Sequence, residues 1–391
     1  MKILICNVGS TSLKFKLWEM PGHESLAEGR VERVGSERAI FRYMRGDYEK
    51  RLDPVSIPDY TTGIQMFLDL LTGGEAPAIA ELDEIEAVGF KTVLSKDHYG
   101  VHELTEEVLG GMRDYLSVAP AHNRCYLEAI DVFRKLTPEA RLVGVFETAF
   151  HQTIPLKHRI YPVPYEWYEK YGVMKMGYHG ASHGYIAKKL AEKKRVISCH
   201  LGGSGSICAI LDGKSIDNSF GFSLQAGIPH SNRTGDMDAY IIPFMLDQGL
   251  SMEEILEGLD KNGGLKGISG TSGDMRDVIE AVEAGSERAK LALDYMAVSI
   301  LRYIGAYIVE LGGIDAIAFT GGIGENSAQL RKMVIDGLEF MGVRLDEKKN
   351  ESCRGECKIS SENSTAEVFV IPANEEYMVV NETYAQCMKK K

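Results

Sequence analysis

The sequence predicts an α/β protein with mixed sheets, built from two related halves, and three observations carry that prediction. Strand-like apolar runs alternate with helix-spaced runs along the chain, the 391 residues exceed one comfortable core, and one strand–turn–strand plan occurs twice. Residues 3–18, ILICNVGSTSLKFKLW, read as a strand, a Gly/Ser turn and a second strand. In that second strand Leu13, Phe15 and Leu17 alternate with Lys14 and Lys16. Residues 196–211, VISCHLGGSGSICAIL, repeat the plan around GGSGS. Helical spacing marks 61–72, 123–136, 276–284 and 287–311, and strands are expected at 85–89, 141–146, 315–320 and 367–371. The polar stretch 347–364 reads as a surface loop near a strand.

Charge and composition narrow the function classes. A hydrophobic share of 44% and a charged share of 26% describe a globular chain rather than a disordered one. The 44 Lys and Arg against 56 Asp and Glu leave a net charge of -12, which repels a nucleic-acid backbone, so no nucleic-acid partner is expected. No apolar run approaches the roughly 20 residues that span a bilayer, so no membrane partner is expected either. The N-terminus MKILICNVGS reads as a buried strand, not a signal peptide. The seven cysteines are scattered, and Cys353 and Cys357 have no second pair at metal spacing. Reduced thiols and a cytoplasmic location are the expectation.

Three glycine- and hydroxyl-rich turns let backbone N–H groups approach phosphate oxygens. They are Gly9-Ser10-Thr11-Ser12, Gly202-Gly203-Ser204-Gly205-Ser206 and Gly321-Gly322-Ile323-Gly324-Glu325-Asn326. None fits the P-loop pattern, and each alone is an ordinary turn; the weight lies in finding three. His179 and His183 stand four apart, as zinc ligands on a helix can, but neither a third ligand nor an HExxH pattern accompanies them.

The segments NVGSTSLKFKL, VFETAFHQTIP, YGVMKMGYHGASH, HLGGSGS, NRTGDMD, GISGTSGDMRD, FTGGIGEN and IPANEE resemble the ordered signature segments of acetate kinases. The resemblance runs from about residue 2 to about residue 380. It implies two duplicated actin-like (ribonuclease H-like) α/β domains with mixed sheets and an interdomain cleft. The first would be residues 1–149 completed by 376–391, and the second, nucleotide-binding one residues 150–375. It also implies ATP or ADP as co-substrate, Mg²⁺, a homodimer, and reversible phosphoryl transfer to a short-chain carboxylic acid such as acetate or propionate.

Roles carry over position by position. Asn7 and Glu375 match the metal-holding positions, and a few hard oxygen donors suit Mg²⁺. Ser10, Ser12 and Lys14 match the first phosphate hairpin; His200, Gly202, Gly203 and Ser204 match the second. For Lys14 the residues alone favour a solvated strand face. Asp274, Met275 and Arg276, with Gly322, Ile323, Gly324, Glu325 and Asn326, match the nucleotide-holding segments; a surface ion pair is the alternative for Arg276. Glu147, His179 and Arg233 match catalytic positions, the last two as stabilisers of charge on the transferring phosphoryl oxygens. Lys91, Val93, Ala121, Tyr178 and Leu224 match the acyl-substrate site.

The departures from the family concentrate around that site. Phe90-Lys91-Thr92-Val93-Leu94-Ser95-Lys96 stands where the family usually has His-Arg-Val-Val-His-Gly-Gly, so an ammonium replaces a bidentate guanidinium. Glu147 replaces an aspartate, and HLGGSG lacks the family's asparagine, leaving Gly203 without a side-chain donor. Ala121, Tyr178 and Leu224 replace leucine, phenylalanine and proline, with Gln225 nearby. The pocket is therefore expected to favour an acid larger or more polar than acetate. Two other readings remain at this point: a kinase using another donor such as pyrophosphate, and a nucleotide-binding regulator without catalysis.

Overall fold

The computed structural model describes residues 1–389, the side chains of Pro120 and Ala121 excepted. The chain forms two compact units, residues 1–149 joined by the C-terminal segment from Glu375, and residues 150–374.

The first unit holds β1 (Lys2–Gly9), β2 (Ser12–Glu19), β3 (Glu24–Glu32), β4 (Ser36–Arg45), β5 (Tyr48–Ile57), β6 (Ile85–Phe90), β7 (Val101–Glu103) and β8 (Arg141–Val145). They form one sheet in the order β5-β4-β3-β2-β1-β6-β8-β7. The second unit holds β9 (Arg195–Leu201), β10 (Gly205–Leu211), β11 (Lys214–Asn218), β12 (Ala316–Thr320), β13 (Cys357–Lys358) and β14 (Glu367–Val370). Their order is β11-β10-β9-β12-β14-β13.

The two sheets share a core plan. In each, an antiparallel meander (β3-β2-β1 or β11-β10-β9) is followed by two parallel strands, β6 and β8 or β12 and β14. An antiparallel strand, β7 or β13, closes the far edge of each. The repeated hairpin legible in the sequence is the centre of this repeated sheet.

Burial explains the strand compositions. Ile3, Leu4, Ile5 and Cys6 of β1 are buried in succession, as a central strand covered on both faces requires. On β2, Leu13, Phe15 and Leu17 are buried while Lys14 is exposed. The helix Glu375–Met388 packs on β1, β6 and β8. It comes so close that a Cβ on Gly89 would lie 2.3 Å from Thr383 Oγ1, so only glycine fits there.

The helix Glu287–Leu311 is capped by Ser286 and ended by left-handed Gly312. By length and composition it could cross a membrane, but half of its most apolar stretch is buried in the second unit's core. It packs against β9 and β10 as a core helix.

Two expectations need correction. The stretch 347–364 is no simple loop: Asp346 caps a helix, Glu347–Ser352, and β13 follows. Cys353 and Cys357, expected as reduced thiols, are joined as a disulfide between that helix and that strand, their Cα atoms 6.0 Å apart. Cys6, Cys125, Cys199, Cys208 and Cys387 take part in no disulfide among the described residues.

Candidate functional site

In the first unit the polar residues converge at the ends of β1, β6 and β8. Asn7 lies directly across from Lys14 in the β1–β2 ladder, so both project to one face. Tyr126 Oη donates to Asn7 Oδ1 at 3.0 Å and accepts from Val8 N at 3.2 Å, which fixes the amide. The Gly9 and Ser10 carbonyls both accept from Tyr60 Oη, which holds the turn carrying Ser10 and Ser12. Just past β6, the Lys91 ammonium is 2.9 Å from Glu147 Oε1 and 2.5 Å from Glu375 Oε2. Burial disfavours that ammonium, but the two carboxylates outweigh it and hold the Lys91 pKa above the ordinary lysine value. Two carboxylates thus surround this one ammonium. Val93 is buried beside them in sequence.

In the second unit a cavity of about 570 Å³ gathers residues from three segments. Gly202 and Gly203 come from the β9–β10 turn, Asp274, Met275 and Arg276 from the start of a helix, and Gly322, Ile323 and Asn326 from the segment after β12. That volume suits a nucleotide-sized ligand. Ser204 Oγ, in the same turn, is buried and has no hydrogen-bond partner among the described residues, an orphan that a bound phosphate oxygen would satisfy. Asp274 caps the helix Met275–Glu283 by accepting from Arg276 N at 2.9 Å. The hydrogen bonds from Arg276 hold the Asp274 carboxyl down at about 2.

Gly324 and Glu325 belong to the scaffold of this cavity rather than its lining. Glu325 Oε1 accepts from Gly321 N and Ala373 N, both at 3.0 Å. The carbonyls of Gly324 and Glu325 accept from the Arg331 guanidinium, which also donates to Asn350.

The histidines lie in the same unit. His179 adopts a left-handed backbone, φ 59°, immediately before the helix Gly180–Lys189. Its Nδ1 is 2.9 Å from Ser206 Oγ, and its ring centroid is 4.1 Å from that of His200. His200 Nδ1 in turn meets Ser182 Oγ at 2.7 Å. His179 and His183 both turn a nitrogen to Ser206 Oγ, so they share a serine rather than a metal.

Arg233 supplies the cation. Its Nη1 donates to the Leu224 carbonyl at 2.8 Å, and it makes no ion pair among the described residues. Burial pulls its pKa below the usual arginine value, with Asp260 acting in the opposite direction. A half-buried guanidinium without a carboxylate partner is suited to an anionic ligand.

These sites sit on a chain with clear relatives. The model of the acetokinase family matches residues 2–381. The chain belongs to that family. The acetate kinase of Shouchella clausii (strain KSM-K16) is 42% identical over 98% of this chain and 98% of its own length. Among solved structures, the acetate kinase of Porphyromonas gingivalis is 37% identical with a TM-score of 0.87, covering 98% of this chain and 99% of that one. A propionate kinase from Francisella tularensis subsp. tularensis SCHU S4 is 33% identical with a TM-score of 0.89, covering the same shares. The fold is the actin-like one of acetate and propionate kinases, and the chain is a phosphotransferase acting on a carboxyl group.

Within this acetokinase, the acyl-site residues behave differently from expectation at one position. Tyr178 is buried and its hydroxyl donates to the Phe222 carbonyl at 2.8 Å. Its proton is therefore taken, and the expected polar contact with a hydroxylated acid loses that support. Gln225 keeps its candidacy, since its Oε1 is buried without a partner among the described residues. Ala121 lies outside the described side chains.

Sequence reasoning missed Tyr126, His230 and Arg331. Tyr126 reads as an ordinary residue of the helix 123–136, Arg331 falls outside the helices and strands expected from the sequence, and nothing in their spacing marks them. His230, three residues before Arg233, was the readable one: its Nδ1 accepts from Gly205 N at 3.0 Å and pins the β9–β10 turn.

Proposed function

We propose that this chain catalyses Mg²⁺-dependent, reversible phosphoryl transfer between ATP and a short-chain acid, acetate or propionate, giving an acyl phosphate and ADP. The observation that carries this reading is Arg233, a half-buried guanidinium with no carboxylate partner among the described residues, in the unit that holds the nucleotide-sized cavity. A carboxylate oxygen of the acid forms a bond to the γ-phosphorus while the bond to the ADP oxygen breaks, and no proton is transferred. Charge on the three equatorial oxygens is what Arg233 and His179 would meet.

Lys91, with two of its donors on Glu147 and Glu375, retains a third for the acid's carboxylate. Glu147 would act by holding that ammonium in place. Asn7 and Glu375 fit Mg²⁺ by donor chemistry, an amide and a carboxylate oxygen. The metal when bound would neutralise phosphate charge. Ser10, Ser12 and Lys14 would face the transferred phosphate, and the cavity lined by Met275, Ile279 and Ile323 would take the nucleoside.

A homodimer is part of this reading. Leu291, Tyr295, Val298 and Val309 fall at helical spacing on one exposed stripe of Glu287–Leu311, and Tyr240, Ile241 and Phe244 are exposed on the same unit. A cytoplasmic location follows from the need for ATP.

The test is purified protein with ATP, Mg²⁺ and straight-chain acids from acetate to hexanoate, the acyl phosphate trapped as hydroxamate. Turnover with acetate or propionate is expected. Nucleotide binding without hydroxamate from any acid would point instead to a regulator.

A further inference from the structure

Four side chains of the second unit form one hydrogen-bonded line that ends at His179. Ser198 Oγ lies 2.8 Å from His183 Nδ1, His183 Nε2 lies 2.8 Å from Ser206 Oγ, and Ser206 Oγ lies 2.9 Å from His179 Nδ1. Ser198, His183 and Ser206 are all fully buried. The fold creates this line simply. Ser198 and Ser206 belong to the paired strands β9 and β10, and His183 follows His179 by one helical turn.

Counting protons fixes the direction of the line. A hydroxyl has one proton, and a neutral imidazole has one N–H and one acceptor nitrogen. His183 is neutral, because burial drives its pKa well below the ordinary histidine value and His151 and His200 push the same way. Among the described residues the Ser198 hydroxyl has only His183 Nδ1 as a partner, so its proton points there. The opposite direction would leave a buried hydroxyl proton without an acceptor. His183 therefore carries its proton on Nε2 and donates to Ser206 Oγ. The Ser206 proton then goes to His179 Nδ1, which leaves the proton of a neutral His179 ring on Nε2.

We propose that Ser198, His183 and Ser206 are positioning residues that hold His179 in its Nε2–H tautomer, so that it presents a donor to the transferring phosphoryl group. This rests on the reading of His179 as a catalytic group. Run the other way, the line would place a lone pair at Nε2, which repels anionic oxygens. Ser206 also fixes the ring's rotation, because His179 has its Nδ1 tied to a hydroxyl buried in the sheet.

Long-range ¹H–¹⁵N spectra of the histidine rings in the full-length protein test the tautomer directly, with His179→Gln and His183→Gln identifying the signals. Neutral rings protonated at Nε2 are expected for both histidines. A proton on Nδ1 of either would overturn the proposal. Ser206→Ala should mix the His179 tautomers and lower kcat about 10-fold, as loss of an outer partner of a functional histidine does, with little change in the KM for ATP. Ser206→Thr keeps the hydroxyl and should recover most of that kcat. His179→Gln separates the two claims. If it keeps full kcat, His179 is not catalytic and the positioning role falls with it. If it loses kcat while Ser206→Ala does not, the catalytic reading stands and the relay is overturned.

Discussion

In the first unit the polar interior is ionic, with Lys91 held by Glu147 and Glu375 and a tyrosine-fixed amide at Asn7. In the second it centres on neutral imidazoles: His151, His183 and His230 are buried, each with its pKa pushed down by burial, and although Lys175 there pairs with Asp217, the Arg233 that acts on His230 makes no ion pair among the described residues. The two units share the same strand plan, so the backbone does not account for this difference. It lies in which side chains the equivalent strand ends carry. Carboxylate and amide oxygens suit a divalent cation, whereas orphaned donors and an uncompensated guanidinium suit an anion. One duplicated scaffold thus supports two complementary kinds of ligand chemistry.

The sharpest way to break that contrast is to remove the anion-seeking cation. Arg233→Ala should lower kcat by about 10²–10³-fold on the best acid, the usual loss for one contact to transition-state charge. Arg233→Lys should recover little, since an ammonium cannot reproduce a planar fork. Wild-type turnover in Arg233→Ala would remove the case for the second unit as the phosphoryl-stabilising one.

The next test concerns the ionic unit. Lys91→Met leaves two largely buried carboxylates facing each other and should cost roughly 3 kcal/mol of unfolding free energy in urea. Adding Glu147→Gln to that variant should return part of the loss, because one of the two carboxylates that lost the ammonium is neutralised. A Lys91→Met protein as stable as wild type would mean that the ammonium contributes no net stability to this unit.

The sequence showed the sheet centres more clearly than the sites. Alternation in β2 and the twin Gly/Ser turns marked both hairpins, because strand burial and turn chemistry are local. The helix 123–136 was readable from its spacing, but Pro120 extends it by three residues at the start, since proline is at ease in a first turn. The residues lining the second unit's cavity were legible because they sit in contiguous motifs. Tyr126 and Arg331 stayed hidden because their role comes from reaching across to other elements, which no spacing records. The acceptor of the Tyr178 hydroxyl, the Phe222 carbonyl, stayed hidden for a related reason: it lies 44 residues away.

The buried histidines give the second unit a pH signature in its stability. His151 is lowered to about 4 and His230 to about 3 from an unfolded value near 6.5, chiefly by burial. The unfolded chain therefore binds protons that the folded unit refuses. This contribution to stability is complete above pH 6.5 and is lost as the pH falls towards those folded values. The loss should be on the order of 2 kcal/mol per histidine by pH 5. Urea midpoints measured from pH 7.5 to 5 should fall, and His230→Gln should flatten the slope. An unchanged slope in His230→Gln would mean that His230 takes up its proton alike in the folded and unfolded chains.

The smallest effect expected is at Arg276, the exposed rim of the nucleotide cavity. Its guanidinium is 89% exposed and forks onto Asp274, with Nη2 2.6 Å from Oδ2. Water and salt screen such a pair, and exposed pairs contribute little. The Asp274 cap does not need the side chain, since it also accepts from the Arg276 backbone N–H. Arg276→Ala should therefore leave the helix Met275–Glu283 in place and raise the KM for ATP only about two- to five-fold, with kcat unchanged. Asp274→Ala removes the cap as well and should raise it further. A drop in kcat for Arg276→Ala comparable with that of Arg233→Ala would show that the rim also meets transition-state charge. The second unit's anion chemistry would then extend well beyond Arg233 and the histidine line.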